Sequence, residues 1–558
     1  MKSPLQIRTD LGSAMQMALV EKFQTESPSV EVLPSRNLSF GDLACSSAMP
    51  LAGKLKRSPR DIAAVMADSI SSQFPQVEKV TVDGPGFLNI TLSGEYLAEF
   101  TAAVATGGIG QFIPAPGKGK TALVEFVSSN PTGPLTVGHC RQAVLGDAVS
   151  RLLEATGWTV QREYYFNDAG RQMERLAESL AARYMNFLGV SMEIPEGGYR
   201  GGYIKTWAED LRRNQGDSLK WPDQKDMFRE YAANRAFVLI SEDLKLLGIT
   251  FDRYFAESEL IPDAVEEVIN LLREKELVYR DHDDSRKIWL KLSGMGRPED
   301  RVIMREDGTY TYRMPDIAYH LNKFRRGYDL MVDIFGSDHI DTSKDVETVL
   351  GELLGKDEVS GRLRTILHQF VTLIRGGEKV KMSTRAGNFV TLRDLVDEVG
   401  SADVVRYIFL TRRAEAHMDF DLEAAGAEND ENPVFYVQYA FARIAGILRK
   451  ISDPESLLIS DPAGLVTLLS GDRERDLMRL LETMPLRVSA AAAALEPHRI
   501  PDLLAEVARA FHGFYQHHRV VDPDDDKTTA ARLTLCMAVR GTLSGLLKIL
   551  GVRAPEKM

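Results

Sequence analysis

With 558 residues, 44% of them hydrophobic and 27% charged, the chain is long enough for several domains, each with a sizeable core. A net charge of −12 argues against a uniformly basic nucleic-acid coat and leaves room for one basic face on an acidic enzyme. The start, MKSPLQIRTDLG, has no apolar signal segment, no run of about 18 apolar residues appears, and Cys45, Cys140 and Cys536 match no zinc or redox spacing. A cytoplasmic protein with no membrane partner is expected.

Residues 1–113 predict a small α+β domain. Ile62, Val65, Met66 and Ile70 give Asp61–Phe74 a helical period, and Val77–Leu92 alternates as two strands around Asp83-Gly84-Pro85-Gly86. FIPAPGKGK, at 112–120, marks a boundary. From Thr121 the pattern is α/β: a strand over Leu123–Val127, a helix over His139–Thr156 closed by Gly157, and a strand over Val160–Phe166. That order is a βαβ unit, the opening of a doubly wound nucleotide-binding sheet. Residues 190–225, with their Gly-Gly and Gly-Tyr elements, read as an insertion over the site. A hairpin is expected between Arg301–Arg305 and Thr309–Arg313, turning at Asp307-Gly308, then a helix after Pro315. A strand over Leu330–Phe335 runs into Gly336-Ser337-Asp338-His339. Beyond about Gly426 only amphipathic helices are predicted, over 432–451, 473–486, 500–521 and 528–550. The fold class is α/β, a Rossmann-like domain over 114–426 between the α+β domain and an all-α bundle over 427–558.

Two stretches carry the chemistry. VEFVSSNPTGPLTVGHCR (124–141) is an apolar strand, a Pro/Gly turn and a Gly138-His139 pair opening a helix, where unpaired N–H groups and the helix dipole favour phosphate. GGEKVKMSTRAGNF (376–389) is a glycine-hinged loop whose Lys379, Lys381 and Arg385 can neutralise phosphates from the other side. Glu125 interrupts an apolar strand, where an unpaired carboxylate would be costly; its plain alternative is an exposed edge-strand position. Asp338 and His339 follow a strand, where open α/β sheets place ligands.

These stretches resemble the two signature motifs of class I aminoacyl-tRNA synthetases, and in detail the arginyl-tRNA synthetase family. The likeness continues in DGPGFLNITL, YYFNDAG, DGTYTYRMPDIAYH, KMSTRAGNFVTL, ENPVFYVQYAFAR and the closing GVRAPEKM. It implies a class I catalytic domain with a tRNA-contacting N-terminal domain and an anticodon-binding bundle. It further implies arginine activation by ATP with Mg2+, no tightly bound metal or organic cofactor, and tRNA(Arg), L-arginine and ATP as partners of a monomer. On that resemblance His139, Lys381 and Thr136 are catalytic, and Gly138, His139, Asp338, His339, Lys381, Met382 and Ser383 bind ATP. Glu125, Ser128, Asn130, Tyr312 and Asp316 would hold arginine, and Tyr436, Gln438, Tyr439 and Arg443 would touch tRNA. Two positions depart from the family pattern: Thr136, where a histidine is usual, and Thr384, where lysine is common. The rival readings are another class I ligase or nucleotidyltransferase, and a synthetase-like RNA-binding protein without catalysis.

Overall fold

The computed structural model describes residues 1–35, 38–168, 170–282, 285–380, 390–429 and 432–558, with Leu38 described by its backbone alone. The predicted βαβ unit lies at the centre of a five-stranded parallel sheet. Its elements are β1 (Thr121–Glu125), α1 (Val137–Ala155), β2 (Thr159–Phe166), β3 (Arg253–Ala256), α2 (Arg313–Arg325), β4 (Leu330–Gly336) and β5 (Leu363–His368). The strand order is β5-β4-β1-β2-β3. β1 is therefore flanked on both sides, and the sheet grows first toward β3 and then, from β4, the other way. The carboxyl ends of β1 and β4 frame the crevice that such a reversal opens. Glu125 is 2% exposed on this central strand, which excludes the edge-strand alternative. Leu123 and Val124 are fully buried, as expected of a strand covered on both faces. Helix α1 lies so close to β1 that a Cβ at Gly146 would come 2.1 Å from the Phe126 ring.

One expectation changes, and one unassigned stretch gains a helix. The hairpin at 307–308 shrinks to a single bridge, Met304↔Tyr310, because α2 begins at Arg313 and leaves too few residues for a return arm. Arg301–Met304 pairs instead with Ile288–Leu290. Within 190–225 lies a helix, Gly202–Gln215, which buries Ile204, Trp207, Ala208 and Leu211 against the helices Arg171–Phe187 and Lys225–Leu246.

Residues 117–427 form one compact unit, and residues 1–116 with 428–558 form another. In the second, a four-stranded antiparallel sheet, ordered Leu33–Pro34, Leu43–Cys45, Phe87–Leu92, Val77–Asp83, carries helices that pack on the bundle. Helix Gly94–Gly107 lies along Asp526–Leu550. Arg8 donates to both oxygens of Glu482 at 3.0 and 2.9 Å, and Tyr96 Oη donates to the same carboxylate at 3.2 Å. The two ends of the sequence thus share a core. Asp526–Leu550 is long and apolar enough to cross a bilayer by composition, but 67% of its apolar window is buried in the unit, as in the core helix of a bundle.

Candidate active site

Parallel register places Asp333 of β4, Glu125 of β1 and Glu163 of β2 side by side. All three are buried. Three adjacent carboxylates in an apolar sheet require cations, and α2 provides them along one face. Lys323, fully buried, binds Glu125 and lies 2.6 Å from Asp333 Oδ1. Arg326, just past the helix, forks onto Glu163, which also accepts from Tyr319 Oη at 2.6 Å. His320 reaches Asp333 Oδ2 through Nε2 at 2.8 Å, and its Nδ1 faces the Asp316 carbonyl at 2.8 Å.

Burial raises the Glu125 and Asp316 carboxyls above the usual range, while the Lys323 and His320 charges hold Asp333 below it. For His320, burial and Lys323 oppose the charged form, but Asp333 and Asp316 outweigh them and its pKa is raised. Four carboxylates (Glu125, Glu163, Asp316 and Asp333) therefore meet three obligate cations, Lys323, Arg326 and Arg253, the last 3.8 Å from Glu163 Oε2, and one histidine within this cluster. The carboxylates outnumber the obligate cations by one, and protonation of His320 balances them; Asp316, whose side chain is 33% exposed, is the member open to solvent. Tyr312, one helical turn before it, is 69% exposed.

The loop leaving β1 is strained and held from outside. Val127 has φ +68° and Ser128 φ +40°, left-handed values that cost a β-branched residue roughly 1–3 kcal/mol. β2 holds the loop residue by residue. Tyr165 N–H donates to Ser128 Oγ at 3.2 Å, Tyr164 Oη donates to the Ser129 carbonyl at 2.8 Å, and Asn167 N–H donates to Asn130 Oδ1 at 3.0 Å. Ser128 Oγ in turn donates to Glu125 Oε1 at 2.8 Å, and Asn130 Nδ2 donates to Gln172 Oε1 at 2.6 Å. The expected arginine residues Ser128 and Asn130 are thus themselves fixed, one of them on Glu125.

Thr136 caps α1. Its N–H lies 3.2 Å and its hydroxyl 3.3 Å from His139 Nδ1. An N–H can only donate, so Nδ1 is the acceptor and the imidazole proton sits on Nε2. Burial holds the His139 pKa down to about 4, so the ring is neutral at pH 7 and Nε2–H is its donor. Thr136, expected on the resemblance to be catalytic, lies with its hydroxyl against this imidazole. A Cβ at Gly138 would meet nothing closer than 3.7 Å, leaving open space over the helix start. Asp338 and His339 form an exposed turn at the end of β4, 3.8 Å apart. Lys381, Met382, Ser383, Thr384 and Arg385 lie outside the described residues. The chain beyond them returns to the His139 loop: Thr391 bridges Thr136, and Leu392 N–H donates to the Leu135 carbonyl at 2.7 Å.

In the other unit, Tyr436, Gln438, Tyr439 and Arg443 all lie on the helix Pro433–Leu448. Tyr436, Tyr439 and Arg443 share a face with His512 and Tyr515. The Arg443 guanidinium lies 4.4 Å from the Tyr439 ring centre and 4.9 Å from that of Tyr515. Gln438 is apart from them and donates to the Arg553 carbonyl at 2.9 Å. Sequence reasoning missed Lys323, His320, Asp333, Glu163, His512 and Tyr515. A signal existed for part of this: Asp316, Tyr319, His320 and Lys323 follow the i, i+3, i+4, i+7 pattern of one helix face.

Three family models match along the chain: "Arginyl tRNA synthetase N terminal domain" at 5–92, "tRNA synthetases class I (R), catalytic domain" at 109–407, and "DALR anticodon binding domain" at 437–558. An arginine–tRNA ligase of Desulfotalea psychrophila is 41% identical over 93% of this chain and 93% of its own. Another, of Thermotoga maritima, is 42% identical over 99% of both chains. The arginyl-tRNA synthetase structure of Thermus thermophilus superposes with a TM-score of 0.75 at 21% identity, covering 99% of this chain and 100% of that one, a likeness of fold. The chain belongs to the arginyl-tRNA synthetase family.

Proposed function

We propose that the protein activates L-arginine with ATP to arginyl-adenylate and transfers it to the terminal adenosine of tRNA(Arg), a ligase of protein synthesis. The observation that carries this reading is the buried carboxylate cluster beneath an open Asp316, next to a helix start suited to phosphate. A guanidinium is always charged and presents a planar donor fork, so a fixed negative cluster selects it. Asp316 with Tyr312 is assigned to the side chain, and Glu125, Ser128 and Asn130 to the amino-acid end. The strained loop sets these groups before substrate arrives, which is the advantage of a site fixed in advance.

ATP enters as its magnesium complex, with Gly138 leaving room for it and His139 Nε2–H donating to a phosphoryl oxygen. The arginine carboxylate then attacks the α-phosphorus in line and pyrophosphate leaves. No covalent enzyme intermediate is needed, and the donor stabilises charge as it shifts to the leaving group. Thr136 acts through His139 by fixing its tautomer. Asp338 is assigned to ribose, with His339 beside it, and Lys381, Met382 and Ser383 are assigned to the triphosphate. In transfer, a ribose hydroxyl of the tRNA end attacks the adenylate carbonyl and AMP leaves. The 1–113 domain and the 427–558 bundle are assigned to tRNA, with Tyr436, Tyr439 and Arg443 as the bundle's contact face and Gln438 at its side. The enzyme is proposed to act as a cytoplasmic monomer.

Pyrophosphate exchange into ATP with a panel of amino acids, with and without total tRNA, tests this reading. Exchange is expected with arginine. Exchange with a different amino acid would replace the specificity, and none under any condition would refute catalysis.

A further inference from the structure

β5 ends in His368, paired in register with Gly336 at the end of β4. Its imidazole is 7% exposed. Nδ1 lies 3.3 Å from the Gln369 carbonyl, which can only accept, so Nδ1 carries the proton and Nε2 is left as an acceptor. Nε2 is buried and has no hydrogen-bond partner among the described residues. The neighbouring groups are fixed: Arg141 Nη1 donates to the same Gln369 carbonyl at 2.7 Å, and Ser337 Oγ donates to Gln369 Oε1 at 3.3 Å. The charged groups that act on the ring are Arg141 of α1 and Asp338, the latter assigned to the ribose of ATP. Burial, with the Arg141 charge, holds its pKa down to about 4, and the ring is neutral at pH 7.

A buried acceptor is complete only when a donor meets it. The triphosphate of ATP at neutral pH offers none. The adenosine half offers its ribose hydroxyls and the 6-amino group of adenine. We propose that His368 is a nucleotide-binding residue whose Nε2 accepts a hydrogen bond from a donor on the adenosine half of ATP. The proposal rests on the ATP assignment of this crevice.

The test is pyrophosphate exchange at saturating arginine and tRNA with His368→Leu and His368→Gln, using ATP, 2′-deoxy-ATP, 3′-deoxy-ATP and the purine riboside triphosphate that lacks the amino group. His368→Leu is expected to raise the KM for ATP about tenfold, the scale of one hydrogen bond, with kcat and the KM for arginine changed less than about twofold. His368→Gln, which restores an acceptor, is expected to recover most of the loss. For the one analogue lacking the bonded donor, unaltered enzyme and Leu variant should have equal KM, which names the donor. If the Leu variant does not fold, His368→Asn is compared with His368→Gln in the same way. An unchanged KM for ATP would overturn the proposal, as would equal penalties on every analogue or a parallel rise in the KM for arginine. Absence of exchange in the unaltered enzyme would overturn the ligase reading itself, and the proposal with it.

Discussion

Replacing Lys323 by methionine removes the one charge shared by Glu125 and Asp333. Lys323 is fully buried, so no water takes over its bonds without opening the packing between α2 and the sheet. Removing one partner of a buried pair costs about 3–5 kcal/mol, because the other charge is stranded. Asp333 retains His320 Nε2 at 2.8 Å, so most of the strain falls on Glu125, whose remaining partner in the cluster is the Ser128 hydroxyl. A loss of about 3–5 kcal/mol at pH 7 is therefore expected for the catalytic unit. The sign of its pH dependence follows from Glu125. Its carboxyl is already raised by burial and rises further without Lys323. A group with a raised folded pKa adds stability below its unfolded pKa and loses that contribution as pH climbs through the folded value. The penalty should therefore shrink as pH falls from 7.5 toward 5. Hydrogen exchange of the Leu123 and Val124 amides, followed against urea, reports this unit alone. Adding Glu125→Gln to Lys323→Met should recover a substantial part of the loss, a coupling that a double-mutant cycle measures. A penalty under about 1 kcal/mol, or one equal at pH 5 and 7.5, would refute the stranded-charge argument.

Gly146→Ala should destabilise the unit by about 1–3 kcal/mol, since the new Cβ meets the Phe126 ring; thermal unfolding measures it. Asp316→Asn should raise the KM for arginine by at least about tenfold and that for ATP little, because shape is kept and charge removed; equal losses would point to a distorted crevice. The His139 ring, followed by NMR in the nucleotide-free protein, should remain neutral until pH approaches about 4, and titration near 6.5 would contradict the packing around it. Tyr439→Ala should weaken tRNA binding by about 1–3 kcal/mol without changing the KM for arginine, as loss of one stacking contact would.

The βαβ unit and the four main helices of the bundle were legible because their periods are long and their caps plain. Glu125 was legible as an anomaly, a charge inside an apolar strand. Its partners were not, because Lys323 and Asp333 lie about 200 residues along the chain and meet it only through parallel register. The hairpin expected at 307–308 failed for a local reason: turn chemistry at Asp307-Gly308 is present, but helix α2 claims the second arm. The helix within 190–225 was hidden by the glycines before it, although Ile204, Trp207, Ala208 and Leu211 repeat correctly. The shared core of the chain's two ends could not be read from either end alone, since Arg8 and Glu482 are each unremarkable until paired. Tyr439 illustrates the ambiguity of aromatic helix positions. Its spacing fits a core residue, yet it is 37% exposed beside Arg443.

If carboxylate charge selects a cationic amino acid, L-citrulline, nearly isosteric with arginine but neutral, should be rejected. The measurement is kcat/KM for charging of tRNA(Arg) with each amino acid by the unaltered enzyme. Discrimination on the order of 10⁴-fold in favour of arginine is expected, because citrulline leaves buried acceptors short of both charge and donors. Values within about tenfold of each other, the scale of a single neutral contact, would mean that charge does not set the choice of amino acid.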